Sequence, residues 1–200
     1  MPPITRSRQD FLDAGMTLLA AAGVRGVTIA RVCAALGVTK GSFYHHFRGV
    51  DEFTHDLLTY WAVERESQVV ATAAAVTDPM ERLDVLRDVG VALHHEAEVA
   101  IRAWSRTDHE AWNVREQVDA ARERTVAEAY REVGVPADVA AMLGRLSVAV
   151  LIGAQHRGAE TDRAALLDLY RHLQEMTVAT YLPDGASTSK KVPPDLPTDR

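Results

Sequence analysis

Side chains that donate and accept hydrogen bonds crowd the stretch TKGSFYHHF, residues 39–47. Lysine and histidine tips suit contacts with phosphate, and short hydroxyls suit base edges, so this composition is typical of a surface that meets nucleic acid. Phe43 and Phe47 lie four residues apart and would point back at a core if the stretch is helical. Half-buried packing of Tyr44 and His46 is an alternative. A metal site is disfavoured, because neighbouring histidines on a helix point about 100 degrees apart.

The sequence lacks the motifs that are typical of catalytic sites. A metalloprotease helix needs His-Glu-x-x-His, but the fifth place after the two His-Glu pairs is Val99 in one case and Asn113 in the other. The single cysteine, Cys33, falls on the apolar face of a predicted helix, where a thiol is a poor nucleophile. No glycine-rich phosphate loop follows a strand, since no strand is predicted. We therefore expect no enzyme activity, no resident metal and no cofactor.

Composition and charge point to one basic region in an acidic chain. The 200 residues are 47% hydrophobic and carry a net charge of -6, which is enough apolar material for a sizeable core. Residues 1–50 carry a net charge of +4, which leaves -10 for the remainder. A basic head on an acidic body suits a head that meets a polyanion, although an ordinary basic patch explains the charge about as well. The lone cysteine and the lack of a leader or a long apolar run predict a cytoplasmic protein.

Two short helices are predicted around the polar stretch. Thr28 is placed to cap the first, which ends at Gly37, and Thr39 is placed to cap the second. The apolar residues of the first helix follow the i, i+3, i+4, i+7 spacing of a helix buried on one face: Ile29, Val32, Cys33 and Leu36. Two such helices joined by a tight turn form a helix-turn-helix.

The second of these helices would display side chains suited to DNA. Helix starts attract phosphate through their free N–H groups, a glycine allows close approach, and long donors reach phosphates while short side chains face bases. The candidate DNA-contacting residues are Thr28, Thr39, Lys40, Gly41, Ser42, Tyr44 and His45.

The stretch GVRGVTIARVCAALGVTKGSFYHHFRGVDEF, residues 23–53, preceded by FLDAGMTLLAAAG, resembles the head of the TetR family of bacterial transcriptional regulators. The resemblance implies an all-α fold with an N-terminal three-helix helix-turn-helix domain and a C-terminal helical ligand-binding and dimerisation domain. It also implies a repressor that binds a palindromic operator as a dimer and is released by a small molecule. Phosphates would be contacted by Thr28, Lys40, Tyr44 and His45, and Thr39, Gly41 and Ser42 would lie near base edges. Arg6 and Arg8 resemble the basic arm that some members lay against DNA.

One position departs from the family pattern. Members often carry a lysine at the start of the fourth helix, where this chain has Val50. A phosphate contact is then missing or moved to Arg48. The expected consequence is a shallower salt dependence of DNA binding, by roughly one unit of log-log slope per lost contact.

The remainder is predicted to be helical up to a terminal tail. We expect a DNA-binding domain over 1–50, a ligand-binding and dimerisation domain over 51–182 and a disordered tail over 183–200. A long helix from Asp51 would link head and body. Apolar spacing then predicts one helix from Pro79 through Ala97, and further helices over 99–104, 108–133, 136–156 and 161–181.

The body suggests a dimer and a pocket. By their spacing alone, the apolar stripes on the last two helices favour an intrachain core, but the family resemblance favours a homodimer through them. Aromatic side chains and a histidine could line a small-molecule pocket, although such residues are more often core. The candidate lining residues are Trp61, His94, Trp104, Trp112 and Tyr130. The alternative is a regulator that senses a metal through His94, His95 and His109, or that responds to a protein partner.

Overall fold

The computed structural model describes residues 6–157 and 160–182, with all side chains in these ranges except those of residues 64–70, 73 and 74. Within these ranges the protein is helical and contains no strand, as the sequence predicts. The predicted tail, residues 183–200, lies outside the described residues. The helices are α1 (Arg8–Ala22), a 3-10 turn (Val24–Gly26), α2 (Ile29–Leu36), α3 (Lys40–Tyr44), α4 (Val50–Ala74), α5 (Pro79–Ala92), α6 (His95–Trp104), α7 (His109–Glu132), α8 (Ala137–Gln155) and α9 (Arg163–Tyr181).

Most helices begin at a side-chain cap that can be read from the sequence. The first N–H groups of a helix have no partner within it, and a hydroxyl or carboxylate just before the helix supplies one. Gly37 ends α2 with a φ of 67°, a conformation that glycine adopts without strain. The caps are Ser7, Thr28, Thr39, Asp78, Asp108 and Asp162.

The single helix predicted from Pro79 through Ala97 is wrong, because the chain breaks it after Ala92. The carbonyl oxygen of Leu93 instead accepts hydrogen bonds from the backbone nitrogen of His95 at 3.0 Å and from Nη2 of Arg163 at 3.2 Å. The helix predicted over 99–104 starts earlier for the same reason, at His95. The apolar spacing continues across the break, so periodicity did not reveal it.

Four phenylalanine rings hold the head together. Phe11 of α1, Phe43 of α3, Phe53 of α4 and the intervening Phe47 are all buried, with ring centroids 4.9 to 5.9 Å apart where they contact. Most of these pairs meet edge to face, the arrangement that aromatic rings prefer. Because α3 has only five residues, this cluster rather than the helix itself sets its position.

The core of the head continues into the body. The same buried cluster includes Trp61 of α4, Ile101 and Trp104 of α6 and Val118 of α7. Two smaller clusters fill the rest of the body, one between α5, α7 and α8 and one between α8 and α9 with Leu93. Helix α4 therefore packs against both parts. The division at residues 50 and 51 stays a prediction.

Among the described helices, α8 alone has the length and apolar composition that could cross a membrane. Only 33% of that stretch is buried within the chain. The core helix of a soluble protein passes the same test of length and composition.

Candidate functional site

The seven candidate DNA-contacting residues lie on one part of the head, along α3 and at the start of α2. Six are exposed, including Tyr44 with 55% of its surface accessible, and Ser42 is half-buried. Phe43 points the opposite way and is fully buried. Helix α3 therefore packs on the core through one face, and its other face is exposed. The contacts of the seven residues with bases and phosphates stay a prediction.

The hydroxyl groups of the two capping threonines, Thr28 and Thr39, can still donate a hydrogen bond to a ligand. Oγ1 of Thr39 accepts a hydrogen bond from the backbone nitrogen of Ser42 at 3.4 Å, and Oγ1 of Thr28 accepts one from Arg31 at 3.3 Å. Each hydroxyl still has a hydrogen that it can donate to a phosphate oxygen. A Cβ built on Gly41 would meet nothing nearer than Oγ1 of Thr39 at 3.6 Å, so the space in front of this glycine is open.

The two aromatic residues considered as packing differ in the structure. His46 is half-buried, its Nε2 donates to the carbonyl oxygen of Arg6 at 3.0 Å, and its ring lies 5.3 Å from that of Phe11. It is therefore a packing residue. Tyr44 is exposed, and its ring meets that of Phe43 edge to face at 5.8 Å.

The basic arm suggested for Arg6 and Arg8 is not seen as a free arm. Arg8 belongs to α1, lies over the Phe47 ring at 4.7 Å and pairs with Asp56 of α4. Nη2 of Arg6 reaches the carbonyl oxygen of Leu36 at 3.5 Å. Both side chains connect parts of the head, because carboxylate and carbonyl acceptors from other helices lie within their reach.

The position that departs from the family pattern has a neighbouring ion pair. Val50 is exposed, and Arg48 just before it donates to Glu52 from Nε at 3.0 Å and from its backbone nitrogen at 2.7 Å. These contacts with Arg48, the backbone one first, lower the pKa of Glu52 below its ordinary value. Arg48 is 93% exposed, so its guanidinium can still reach a phosphate, although Glu52 competes for it.

The five predicted pocket residues are not brought together. Tyr130 lines a cavity between α5, α7, α8 and α9, but the other four do not. Trp61 and Trp104 are buried in the core shared with the head, while His94 and Trp112 are exposed. His94 leaves the apolar stripe because the break after α5 turns it outward.

A largely apolar cavity lies between α5, α7, α8 and α9. The space between its side chains is about 700 Å³, part of it open to solvent. Leucine and valine side chains form most of the wall, and polar groups are few. This composition is typical of small-molecule sites. The polar lining residues are Arg87, Arg122, Thr125, Tyr130, Ser147, Tyr170 and Gln174.

The two tyrosines that line this cavity have raised pKa values because they are buried. Burial raises the pKa of Tyr130 to about 12, against a smaller opposing effect of Thr177 beside it. Burial also raises the pKa of Tyr170, and Arg122 opposes that shift. The hydroxyl of Tyr170 donates to the carbonyl oxygen of Ser147 at 3.1 Å. Both phenols are therefore neutral hydrogen-bonding groups in the cavity wall.

A buried ion network beside the cavity was missed by the sequence analysis. Glu98 of α6 is 1% exposed and accepts from both terminal nitrogens of Arg122 at 2.9 Å. Nε1 of Trp61 donates to the same carboxylate at 3.0 Å. Burial would raise the pKa of Glu98, but Arg122 and the other donors outweigh it, so the pKa lies below its ordinary value.

A second buried pair extends this network. Arg102 of α6 donates through both terminal nitrogens to Asp119 of α7, at 2.7 and 2.8 Å, and Arg115 adds a third bond at 3.1 Å. The i, i+3 and i+4 spacing of the charges on α7, at 115, 119 and 122, was the available signal. It could not show that this face is buried.

The metal-sensing alternative finds no support in the described part of the chain. His94 and His109 are exposed, whereas His95 is buried and bonded to protein groups. Among the described residues, no group of three or more histidine, cysteine or acidic side chains is placed to hold a metal ion.

We expect His95 to make the protein less stable in mild acid. Its Nε2 donates to the carbonyl oxygen of Val91 at 3.0 Å, and Gln155 lies 3.2 Å from its Nδ1. Burial lowers its pKa below the ordinary 6.5, so the unfolded chain binds the proton more readily than the folded one. The contribution of His95 is complete above about pH 6.5 and is lost as the pH falls through the folded-state pKa.

Denaturant unfolding at pH 7.5 and at pH 5 would measure this loss in wild type, in His95→Gln and in His94→Gln. His95→Gln should lower stability at pH 7.5 but lose less than wild type between the two pH values. His94→Gln, which changes the exposed neighbour, should keep the wild-type loss. An unchanged acid loss in His95→Gln would contradict this assignment.

Comparison with known proteins agrees with the geometry of the head. Residues 11–55 match the sequence profile described as bacterial regulatory proteins, tetR family. The HTH-type transcriptional repressor KstR2 of Mycobacterium tuberculosis is 29% identical over 103 residues, which are 49% of this chain and 50% of that protein. The chain thus spans about half the length of the curated relatives it matches.

Solved structures extend the likeness to the body as a matter of fold. A transcriptional regulator from Rhodococcus sp. Rha1 has a TM-score of 0.68 at 17% identity, with 88% of this chain and 98% of that one covered. A putative transcriptional regulator from Saccharomonospora viridis, in complex with choline, has a TM-score of 0.69 at 18% identity, with 86% and 95% covered. The profile covers α1 to the start of α4, so the head of this chain is similar to that of bacterial regulatory proteins of the tetR family, and the solved structures share the helical fold of the body.

Proposed function

We propose that the protein is a DNA-binding transcriptional repressor that acts as a homodimer in the cytoplasm, is not an enzyme and is released from its operator by a small molecule. The observation that carries this proposal is the displayed face of α3. Lys40, Tyr44 and His45 are exposed on a helix that Phe43 anchors from the other side. Donors on a rigidly held short helix suit the major groove and its flanking phosphates.

A dimer through α8 and α9 is supported by their outer faces. Exposed large apolar side chains on these helices include Met142, Leu146, Leu169, Met176 and Tyr181. A Cβ at Gly153 would meet nothing within 4 Å, so another backbone can approach closely there. Exposed apolar area of this kind is typical of an interface. A second head is also needed for tight and specific binding, because one small domain makes few contacts with DNA.

The cavity supports the ligand-responsive part of the proposal. It is largely apolar, lies between body helices and has α7 as one wall, and α7 packs against α4. A ligand that fits one arrangement of these helices better than another would shift α4 and the head with it. Control by a protein partner instead of a small molecule is the rival outcome.

Selection of bound fragments from random duplex DNA by the purified protein tests the proposal. An inverted repeat with half-sites about one helical turn apart, roughly 34 to 36 Å, is the expected result. This result would support the DNA-binding role of the head, the dimer and the palindromic operator together. A sequence preference without symmetry would contradict the dimer, and the absence of enrichment at moderate salt would contradict the operator-binding role.

Lys40→Ala should weaken binding to all duplexes alike, because a phosphate contact carries no sequence information. The log-log salt slope should fall by about one unit per lost contact, hence about two units in a dimer. Fluorescence anisotropy over a salt series would measure both quantities. Arg124→Ala, an exposed arginine of α7, is the control and should keep the wild-type slope. An unchanged slope in Lys40→Ala would show that Lys40 touches no phosphate.

A further inference from the structure

The charged side chains that line the cavity are both guanidinium groups. Two guanidinium side chains, Arg87 and Arg122, are among its lining residues, and none of the lining residues is acidic. Arg87 pairs with Asp84 at 2.6 Å and with Asp88 at 3.0 Å, and both aspartate side chains are well exposed. A cationic ligand would face two arginines with no carboxylate among the lining residues to balance it.

Arg122 has capacity for a second acceptor. It uses one N–H of each terminal nitrogen for Glu98, and a guanidinium has further N–H groups beyond these two. The carboxylate of Asp119 lies 3.9 Å from Nη1, too far for a hydrogen bond, and no other described residue accepts one from these groups. The remaining N–H groups of a guanidinium suit a planar anion such as a carboxylate.

The rest of the wall suits a hydrocarbon. Leu83, Leu86 and Val89 of α5, with Val126 of α7 and Leu151 of α8, line the cavity. An apolar ligand body buried among them removes apolar surface from water, at about 25 cal/mol per Å².

Arg122 also connects the cavity to the helix that leads to the head. Its guanidinium carbon lies 5.9 Å from the centre of the Trp61 ring, and Trp61 donates to Glu98, the carboxylate that Arg122 binds. Arg122 of α7, Glu98 of α6 and Trp61 of α4 thus form one buried group. A new anion on Arg122 would weaken its hold on Glu98 and change the contact of Glu98 with Trp61.

We propose that the cavity binds a small apolar molecule carrying one carboxylate, that Arg122 holds this carboxylate, and that Glu98 and Trp61 pass the change to α4. The binding part stands on the cavity alone, while the transmission part rests on the proposed release from DNA.

Three probes of equal chain length separate the charge requirement from simple hydrophobicity: octanoate, 1-octanol and octylammonium. Thermal unfolding of the free protein reports binding without DNA. At about five times its dissociation constant, octanoate should raise Tm by about 2–4 °C. At the same concentrations octanol should raise it less and octylammonium not at all. An equal or larger shift with octanol or octylammonium would overturn the carboxylate assignment.

Two variants test where the carboxylate binds and how its binding is transmitted to α4. The double variant Glu98→Gln/Arg122→Met removes both charges and leaves no unpaired ion, and circular dichroism would confirm its fold. It should lose the preference for octanoate over octanol, whereas Arg124→Met should keep it. A retained preference in the double variant would place the carboxylate elsewhere.

Trp61→Phe keeps an aromatic ring and removes the N–H donor to Glu98. It should keep the octanoate shift in Tm but need at least about tenfold more octanoate to release operator DNA, a coupling loss of ordinary allosteric size. Unchanged release would overturn the path through Trp61. If the wild-type protein does not bind operator DNA, that result counts against the proposed function. The Tm comparison would still decide the ligand class.

Discussion

Asp119→Ala should lower the free energy of unfolding by about 3–5 kcal/mol, because it leaves a buried guanidinium without its counter-charge. Arg102 is 9% exposed, and among the described residues its terminal nitrogens donate only to Asp119. Nε of Arg102 is already buried without a partner. Loss of Asp119 would thus leave the whole guanidinium of Arg102 unsatisfied. Arg115 is less affected, since it also pairs with Glu116.

Chemical denaturation at one fixed protein concentration would measure this loss, since a dimer's stability depends on concentration. Glu128→Ala, an exposed acidic residue on the same helix, is the matched control and should change stability by no more than about 0.5 kcal/mol. The double variant Arg102→Met/Asp119→Leu should recover most of the loss, because it removes both charges together. A loss in Asp119→Ala no larger than that of the control would show that the pair is not buried in solution.

Gly144→Ala should cost about 3 kcal/mol, because α7 and α8 touch backbone to backbone at this residue. A Cβ at Gly144 would lie 2.3 Å from the carbonyl oxygen of Glu123 and 3.3 Å from Cβ of Ala127. A carbonyl cannot rotate away as a side chain can, so the two helices must separate. Overpacking of this kind usually costs about 1–3 kcal/mol and occasionally more, and contact with backbone puts this site at the upper end.

Gly90→Ala is the control, because it also replaces a helical glycine with alanine but at a place where the added Cβ has room. Its Cβ would meet the Tyr170 ring at 3.6 Å, an ordinary contact. Alanine is a better helix residue than glycine by about 1 kcal/mol, so this variant should be neutral or slightly more stable. The same unfolding measurement compares the two. Equal stability of Gly144→Ala and wild type would mean that α7 and α8 lie further apart than described.

The sequence alone determined the helical class, the capped starts of the helices and the polar face of α3. These features are local: a cap acts three residues away, as from Thr39 to Ser42, and a helix face repeats every three to four residues. The helix-turn-helix could therefore be predicted from α2, Gly37 and α3. The length of α3 could not, because the phenylalanine cluster rather than helix propensity holds it.

Only the tertiary structure decided the break after α5, the places of Arg6 and Arg8, and the lining of the cavity. In each case the partner is distant in sequence: Arg8 meets Asp56 48 residues away, and Arg163 reaches Leu93 across 70. Glu98, Asp119 and Arg122 look like solvated surface charges on helices, since the spacing of charges along one helix carries no information about what packs on it. Burial by a second helix, which turns such charges into an ion network beside a cavity, is a property of the packed body alone.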